Sequence, residues 1–503
     1  MSRAFIERTE HELRPDVERV VATIFLPGQE ISLNGESRSA AVLTRVMLMS
    51  EDEVDLALKE VYREFGARHD DLDSAFVTHY EAVRHRLSSH DDVTEARALL
   101  IGAYFTQEFA VEPAGLFNPS MVPHPDQTGL DEGSTRFVMS VRGVGAGYIS
   151  SIGFRTGVIG ADSDITFDPL AEHLRLPKSM PVTYSRRSFA QQLAEQGAER
   201  GDYDFALDSL PPVFSREQLG QAFAVLGEAR ITRLSATPII ERFRRIAAGH
   251  YTVEFPSDTP LDSQILLPRG PAETKGLEDV RFVQVTHSDG SKDYRGTYTA
   301  FDGTQVAPHM VRTTDFHRFA VSPLSGPGAK NKGMAFFPRQ VRSRYVSLSR
   351  ADRESNELAW SDDGYHWGTP WLLQVPEQPW ELVQLGNCGS PMETQAGWLV
   401  LTHGVGPMHQ YSIGAILLDL DDPSVVIGHL DEPLVTSIGA EREGFVPNVV
   451  YSCGGMIHGD SLVLPYGCSD AFIRIVMIDL PELLLRLTSS ERPVRANLSH
   501  TWS

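Results

Sequence analysis

Apolar residues recur at two different periods along this chain, and the period changes near residue 115. Before that point the spacing is helical. In SEDEVDLALKEVYREF, residues 50–65, Val54, Leu56, Ala57, Val61 and Phe65 fall at helical intervals behind Ser50, with Glu53 three residues on as in a capping box. Helices are also predicted over 72–87 and 93–109, preceded by a short strand at 20–25. Together these define a mainly helical N-terminal domain over residues 1–114.

From Phe117 onward, short β-rich runs alternate with Gly, Pro, Asp and Asn. Examples are RFVMSVRGVG (136–145), YTAFDG (298–303), RYVSLSR (344–350), GWLVLTHGV (397–405) and SLVLPYGCSD (461–470). The last four recur at intervals of roughly 50 to 65 residues, close to the length of one four-stranded propeller blade. A mainly β fold, a β-propeller rather than a sandwich, is therefore expected over 115–503. Helical spacing returns at about 185–249, in SRRSFAQQLAEQGAERG and REQLGQAFAVLGEARITRLSATPIIERFRRIAAG, which reads as a helical insertion between blades. In a propeller the polar clusters at strand ends converge on a central channel, so residues far apart in sequence can share one pocket.

Composition narrows the partners. The 503 residues are 41% hydrophobic and 22% charged, enough to bury a large core. Lys plus Arg number 45 against 67 Asp plus Glu, a formal charge of −22, which repels phosphate backbones and anionic lipid. Neither a nucleic acid nor a membrane is expected as a partner. Cys388, Cys453 and Cys468 are too few and too scattered for a disulfide framework or a four-ligand zinc site. The charged N-terminus has no apolar h-region and no run reaches the ~18 apolar residues of a membrane helix, so a soluble, cytoplasmic protein is expected. Walker, GxGxxG, HExxH and GxSxG patterns are missing, which leaves nucleotide, zinc-protease and serine-hydrolase chemistry without an anchor.

Four clusters could carry chemistry. GLEDVRF (276–282) sets Glu278 beside Asp279, with Arg281 two residues on. Two adjacent carboxyls resist joint ionisation, so Asp279 is expected to keep its proton more easily, with Arg281 opposing. The run from Asn331 to Arg350 supplies Lys332, Arg339 and Arg350, which suits a bound anion, a neutralised carboxylate or plain surface turns. Residues 387–411 carry Glu393, His403 and His409; residues 441–470 carry Glu441, Glu443, Tyr466 and Asp470. Trp360, Trp367, Trp371, Trp380 and Trp398 are close in sequence, and aromatic planes suit sugar faces, although most such residues pack in cores.

In order, and beginning with FNPSMV at Phe117, these motifs resemble glycoside hydrolase family 130, the β-mannoside phosphorylases and β-1,2-mannosidases. The resemblance covers about 370 residues less the insertion, and leaves the first hundred outside. It implies a five-bladed β-propeller, with Asp279 as the general acid. Asn118 and Arg142 would hold the mannose bound at the cleaved end, and Asp470 would bind sugar hydroxyls. Glu278, Arg281, His403 and Tyr466 would complete the substrate-binding set. Lys332, Arg350 and His409 lie where the family's phosphorylases gather phosphate.

Two departures point to a hydrolytic branch. SPMET stands where phosphorylases carry a PPIKT-like segment, so the lysine position is Glu393, and Lys332–Gly333 replaces an Arg–Asn pair. A carboxylate at that place would repel phosphate and polarise a water. The expected protein is therefore an inverting glycosidase cleaving β-mannosides, most of all β-1,2-linked manno-oligosaccharides. Asp279 would be its acid and Glu393 its base, with a further acid from Glu443 or Glu441. Inversion requires the two carboxyls roughly 6.5 to 9.5 Å apart. The alternatives are a phosphorylase that consumes inorganic phosphate and releases mannose 1-phosphate, and a non-catalytic carbohydrate-binding propeller. No metal or organic cofactor is called for. The helical segments offer an interface for a homo-oligomer or a lid.

Overall fold

The computed structural model describes residues 4–28, 37–87, 93–197, 200–229 and 233–489, and it is mainly β with two groups of helices and a further helix, Leu480–Thr488. The first group follows local rules. The helix Glu51–Phe65 begins at Ser50, whose hydroxyl accepts from the Glu53 N–H while the Glu53 carboxylate accepts from the Ser50 N–H at 2.8 Å. Val54 and Leu58 are its buried positions. Leu56, expected on the inner face, is exposed, because two residues on from Val54 is roughly 200° round a helix. The helix expected over 93–109 ends at Tyr104, and Thr106–Ala110 is a strand antiparallel to Val20–Ile24. A ready strand partner overrides the helical spacing there.

The β region is built of antiparallel meanders. The first runs Gly115–Pro123, Thr135–Val144, Ser150–Ile159 and Ile165–Phe167; the second Gly276–Thr286, Lys292–Phe301, Val306–Thr313 and Arg318–Pro323. The third runs from Ala335–Phe336 through Tyr345–Ser349 and Asn356–Ser361 to Trp371–Gln374. The fourth is centred on Gly397–Val405 and Tyr411–Leu418, the fifth on Ser461–Cys468 and Phe472–Asp479. The outermost strand of the fifth comes from the other end of the chain: Ile6–Leu13 pairs antiparallel with Phe472–Asp479.

The innermost strands touch in succession. The Phe282 N–H donates to Ser120 Oγ at 3.0 Å, the Thr286 N–H to Pro338 O at 2.8 Å, and Asn387 Nδ2 to Gly333 O at 2.7 Å. Between the fourth and fifth, Gly389 (φ 105°) packs so closely that a Cβ would lie 2.5 Å from the Cys453 carbonyl oxygen. The Cys453 N–H donates to Pro119 O at 2.8 Å, which returns to the first meander. Cys388, Cys453 and Cys468 are buried and unpaired.

The second group of helices, Arg186–Glu195, Arg200–Asp208, Arg216–Ala229 and Arg233–Ala248, lies between strands Thr183–Ser185 and Tyr251–Glu254. It has its own apolar cluster, including Tyr184, Phe189, Leu193, Phe214 and Phe243. Among the described residues no helix is long and apolar enough to cross a membrane.

A buried ionic knot joins the N-terminal segment to the β region. Glu112 accepts two bonds from Arg155 at 3.1 Å and lies 3.5 Å from Arg19, which donates to the Asp262 carbonyl at 2.6 Å. All three charged side chains are nearly inaccessible to water. Glu112→Gln leaves two buried guanidinium groups without their counter-charge. It is expected to lower unfolding stability by about 3 kcal/mol, read as a reduced urea midpoint.

Candidate active site

A cavity of 630 Å³ opens at one end of the meanders. Its residues come from two kinds of place. The innermost strands supply Asn118, Asp279, Arg281, Gln384 and Tyr451. The turns between second and third strands supply Thr304, Arg350, Arg353, His409 and Asp470. Asn118 and Asp279 occupy matching positions: each sits where the register of its strand shifts, between Phe117 and Ser120 and between Glu278 and Arg281. Both have positive φ, 51° and 57°. Such a bulge re-aims a side chain that a regular pleat would direct elsewhere. The two then meet, Asn118 Nδ2 donating to Asp279 Oδ1 at 2.7 Å.

Arg142 ties this pair to Glu278. Its Nη1 donates to Asp279 Oδ1 at 2.9 Å, its Nη2 to Glu278 Oε1 at 2.7 Å, and its Nε to Ser150 Oγ at 2.9 Å. Lys332 Nζ donates to the second Glu278 oxygen at 2.7 Å. Glu278 is thus a buried support beneath the cavity. Burial alone would raise the Asp279 carboxyl. The charges of Arg142, Lys332 and Arg281, with the Asn118 hydrogen bond, outweigh it and hold Asp279 well below the usual carboxylate range. The balance between Glu278 and Arg281 that the sequence leaves open therefore falls on the side of the charged form: Glu278 is itself shared by two cations, and the local field is positive.

Asp470 behaves oppositely. Burial, together with the nearby Asp279 and Glu278 charges, outweighs Arg142 and Lys332 and pushes it up to about 6.

The opposite wall is cationic and aromatic. Arg281 donates to the Asp279 carbonyl at 2.8 Å and to the Tyr451 hydroxyl at 2.6 Å. Arg350 donates from Nη2 to the Arg353 carbonyl at 2.7 Å, its Nε is buried without a partner, and neither Arg350 nor Arg353 has a carboxylate salt bridge among the described residues. His403 is buried beside them; burial, then Arg350 and Arg281, push its ring well below the usual range, so it stays neutral. Its ring lies against Tyr451 (4.9 Å between centroids) and Tyr411 (5.9 Å), and His409 continues the row at 5.1 Å from Tyr411. Tyr411, Tyr451 and Gln384 were passed over in the sequence because a Tyr or Gln within a β-run reads as core or surface. Among the described residues no group of three or more His, Cys, Asp or Glu is placed to hold a metal ion.

Three sequence candidates lie elsewhere. Glu393 forms a two-bond ion pair with Arg339, at 2.7 and 2.8 Å, and lines a separate 320 Å³ cavity with Gln284 and Thr286. From Asp279 to Gln284 is five strand residues, about 16 Å at ~3.3 Å each, so Glu393 is out of reach of a sugar held at Asp279. Glu443 is exposed and lines neither cavity. Tyr466 is buried and donates to Glu441 at 2.8 Å, and Glu441 also pairs with Arg8 at 3.3 Å. That cluster fastens the N-terminal strand to the fifth meander.

Comparison with known proteins places this geometry. Residues 255–488 match a family described as beta-1,4-mannooligosaccharide phosphorylase, glycoside hydrolase family 130. The 1,2-beta-oligomannan phosphorylase of Thermoanaerobacter sp. (strain X514) is 34% identical over 232 residues, 44% of this chain and 75% of that protein. The chain belongs to glycoside hydrolase family 130. A beta-1,2-mannobiose phosphorylase of Listeria innocua is 29% identical over 254 residues, 49% of this chain and 68% of that protein. A solved structure of a Listeria innocua beta-1,2-mannobiose phosphorylase, in complex with beta-1,2-mannobiose, aligns with 76% of this chain and 94% of its own at 20% identity and a TM-score of 0.43.

These family 130 relatives overturn the hydrolytic reading, since the curated relatives carry the names of phosphorylases. The physical reason agrees. The hydrolytic assignment rested on Glu393 as base, and Glu393 is neutralised by Arg339 in another cavity. Its replacement by Gln is expected to leave ligand binding at Asp279 unchanged and to cost at most about 1 kcal/mol, measured by calorimetry and thermal melting.

The raised Asp470 acid has a consequence for stability. It binds a proton more readily folded than unfolded, so its contribution is present below the ordinary value of 3.8 and is lost as pH rises through about 6. Asp470→Asn should therefore raise the melting temperature more at about pH 8 than at about pH 4.

Proposed function

We propose that this family 130 protein is an inverting β-mannoside phosphorylase, acting on β-1,2-linked manno-oligosaccharides with inorganic phosphate and releasing α-mannose 1-phosphate. Its scaffold is a five-bladed propeller in which each meander is a blade and the Asp279 pocket opens on the axis. The succession of contacts between innermost strands supports that arrangement, and the names of the β-1,2-specific relatives support the substrate.

The observation that carries the reading is Arg350, a cation facing the pocket that holds Asp279 and without a carboxylate salt bridge among the described residues. Five cationic side chains, Arg142, Arg281, Lys332, Arg350 and Arg353, meet three carboxylates, Glu278, Asp279 and Asp470. An excess of positive charge inside a chain of net −22 suits an anionic co-substrate. A phosphate oxygen brings its own negative charge and needs cations to hold it, not a general base. Arg350 and Lys332 orient it, and it attacks the anomeric carbon on the face opposite the leaving sugar. The bond from that carbon to the glycosidic oxygen breaks, and Asp279 gives its proton to the departing oxygen.

Proton supply follows from the same charges. Arg142, Lys332 and Arg281 keep Asp279 ionised. Phosphate bound on Arg350 and Lys332 offsets that pull, so Asp279 takes up a proton as phosphate binds.

Incubating β-1,2-mannobiose with and without phosphate tests the reading. Mannose 1-phosphate should form only with phosphate; free mannose accumulating equally in both overturns it. Arg350→Ala is expected to raise the KM for phosphate by about tenfold or more, the loss of a charge-assisted bond. Asp279→Asn is expected to lower kcat by about 10² to 10⁴. Calorimetry of phosphate binding in buffers of different ionisation heat should show net proton uptake by the wild type and none by Asp279→Asn.

A further inference from the structure

Two exposed aromatic side chains pack against each other and take no part in the chemistry above. Tyr148 is 67% exposed and Phe445 66%, and their rings lie 6.1 Å apart at 34°. Exposed aromatics are ordinary one at a time. These two come from opposite ends of the β region, the first meander and the loop leading into the fifth, and their rings meet. Phe445 precedes Val446, which lines the pocket, and the Val446 N–H donates to Ser469 O at 3.0 Å, next to Asp470. Tyr148 sits at the tip of the hairpin that carries Arg142.

The backbone around Tyr148 is a second observation. Residues 145–149 and 406–410 form the same turn in two different meanders. The Gly145 N–H donates to Ile149 O at 2.9 Å and the Gly406 N–H to Gln410 O at 3.0 Å. Gly147 and Tyr148 have φ of 67° and 57°, Met408 and His409 of 59° and 57°. Tyr148 is thus the counterpart of His409, which lines the pocket. A bulky residue at positive φ is strained, and such strain clusters where a side chain must be presented to a ligand.

We infer that Tyr148 and Phe445 form an outer sugar-binding platform that engages the mannosyl units of substrates longer than a disaccharide. The inference rests on the pocket being a β-mannoside site. Release of a single mannose as its 1-phosphate leaves no sugar on the inner side of that mannose. The rest of the chain must leave through the mouth, where an aromatic plane can cover the apolar C–H face of a pyranose and the Tyr148 hydroxyl can bond to its rim.

The test compares Tyr148→Ala, Phe445→Ala and Tyr148→Phe with the wild type on β-1,2-mannobiose and β-1,2-mannotetraose at saturating phosphate. Each alanine variant should raise the KM for the tetraose by about tenfold, a loss of about 1.4 kcal/mol, while mannobiose changes by less than about twofold. Tyr148→Phe should keep most of the tetraose preference. Equal losses on both substrates, or none, overturn the platform. Calorimetric titration with mannotetraose separates this inference from the reaction. A wild type that binds the tetraose without forming mannose 1-phosphate refutes phosphorolysis, while weaker binding by both alanine variants still supports the platform. No tetraose binding by the wild type, or unchanged binding in the variants, overturns it.

Discussion

The site depends on one buried guanidinium. Arg142 spans Glu278 and Asp279 and so joins the second strand of the first meander to the innermost strand of the second. Lys332, on the far side of Glu278, extends the link to the approach of the third. Charges largely withdrawn from water are tolerable only with opposite charges at hydrogen-bonding distance, and breaking such a pair leaves the survivors uncompensated. The same contact sets the chemistry. A carboxyl that burial would push up is pulled down by the cations around it.

Net charge and local charge point in opposite directions here. A chain of −22 repels anions at a distance, yet within the cavity the cations outnumber the carboxylates. Screening limits the surface field to about 8 to 10 Å in physiological salt, whereas buried charges a few ångströms from a ligand act almost unscreened. Asp279 and Asp470 show how fine this is. Both face Arg142, but Asp279 bonds it directly at 2.9 Å and is held low, whereas Asp470, without such a bond, is driven up by burial and by Asp279 itself.

Legibility in the sequence followed the range of the interactions. The capping box at Ser50 and Glu53 is a contact of three residues, and it was readable in full. The helix expected to run to 109 was misjudged because the strand Val20–Ile24 that captures Thr106–Ala110 is more than eighty residues away. Asp279 and Arg350 were nameable as members of charged clusters at β-runs, whereas Asn118 and Arg142 were nameable only through the family resemblance. Tyr411 and Tyr451 were not, since nothing local distinguishes a tyrosine facing a ligand from one facing the core.

Residue types and their order alone determined the β-rich repeat, the helical stretches, the family resemblance and the set of ionisable groups from which the site is drawn. Only the tertiary structure decided which of these meet. It placed Glu393 against Arg339 in a separate cavity, spent Tyr466 and Glu441 on fastening the first strand to the last sheet, and gave Asp279 its cations. The reason is physical. A strand advances about 3.3 Å per residue, so a few positions along an innermost strand separate one cavity from the other. Coulomb energies vary with the inverse of distances that only the assembled fold defines.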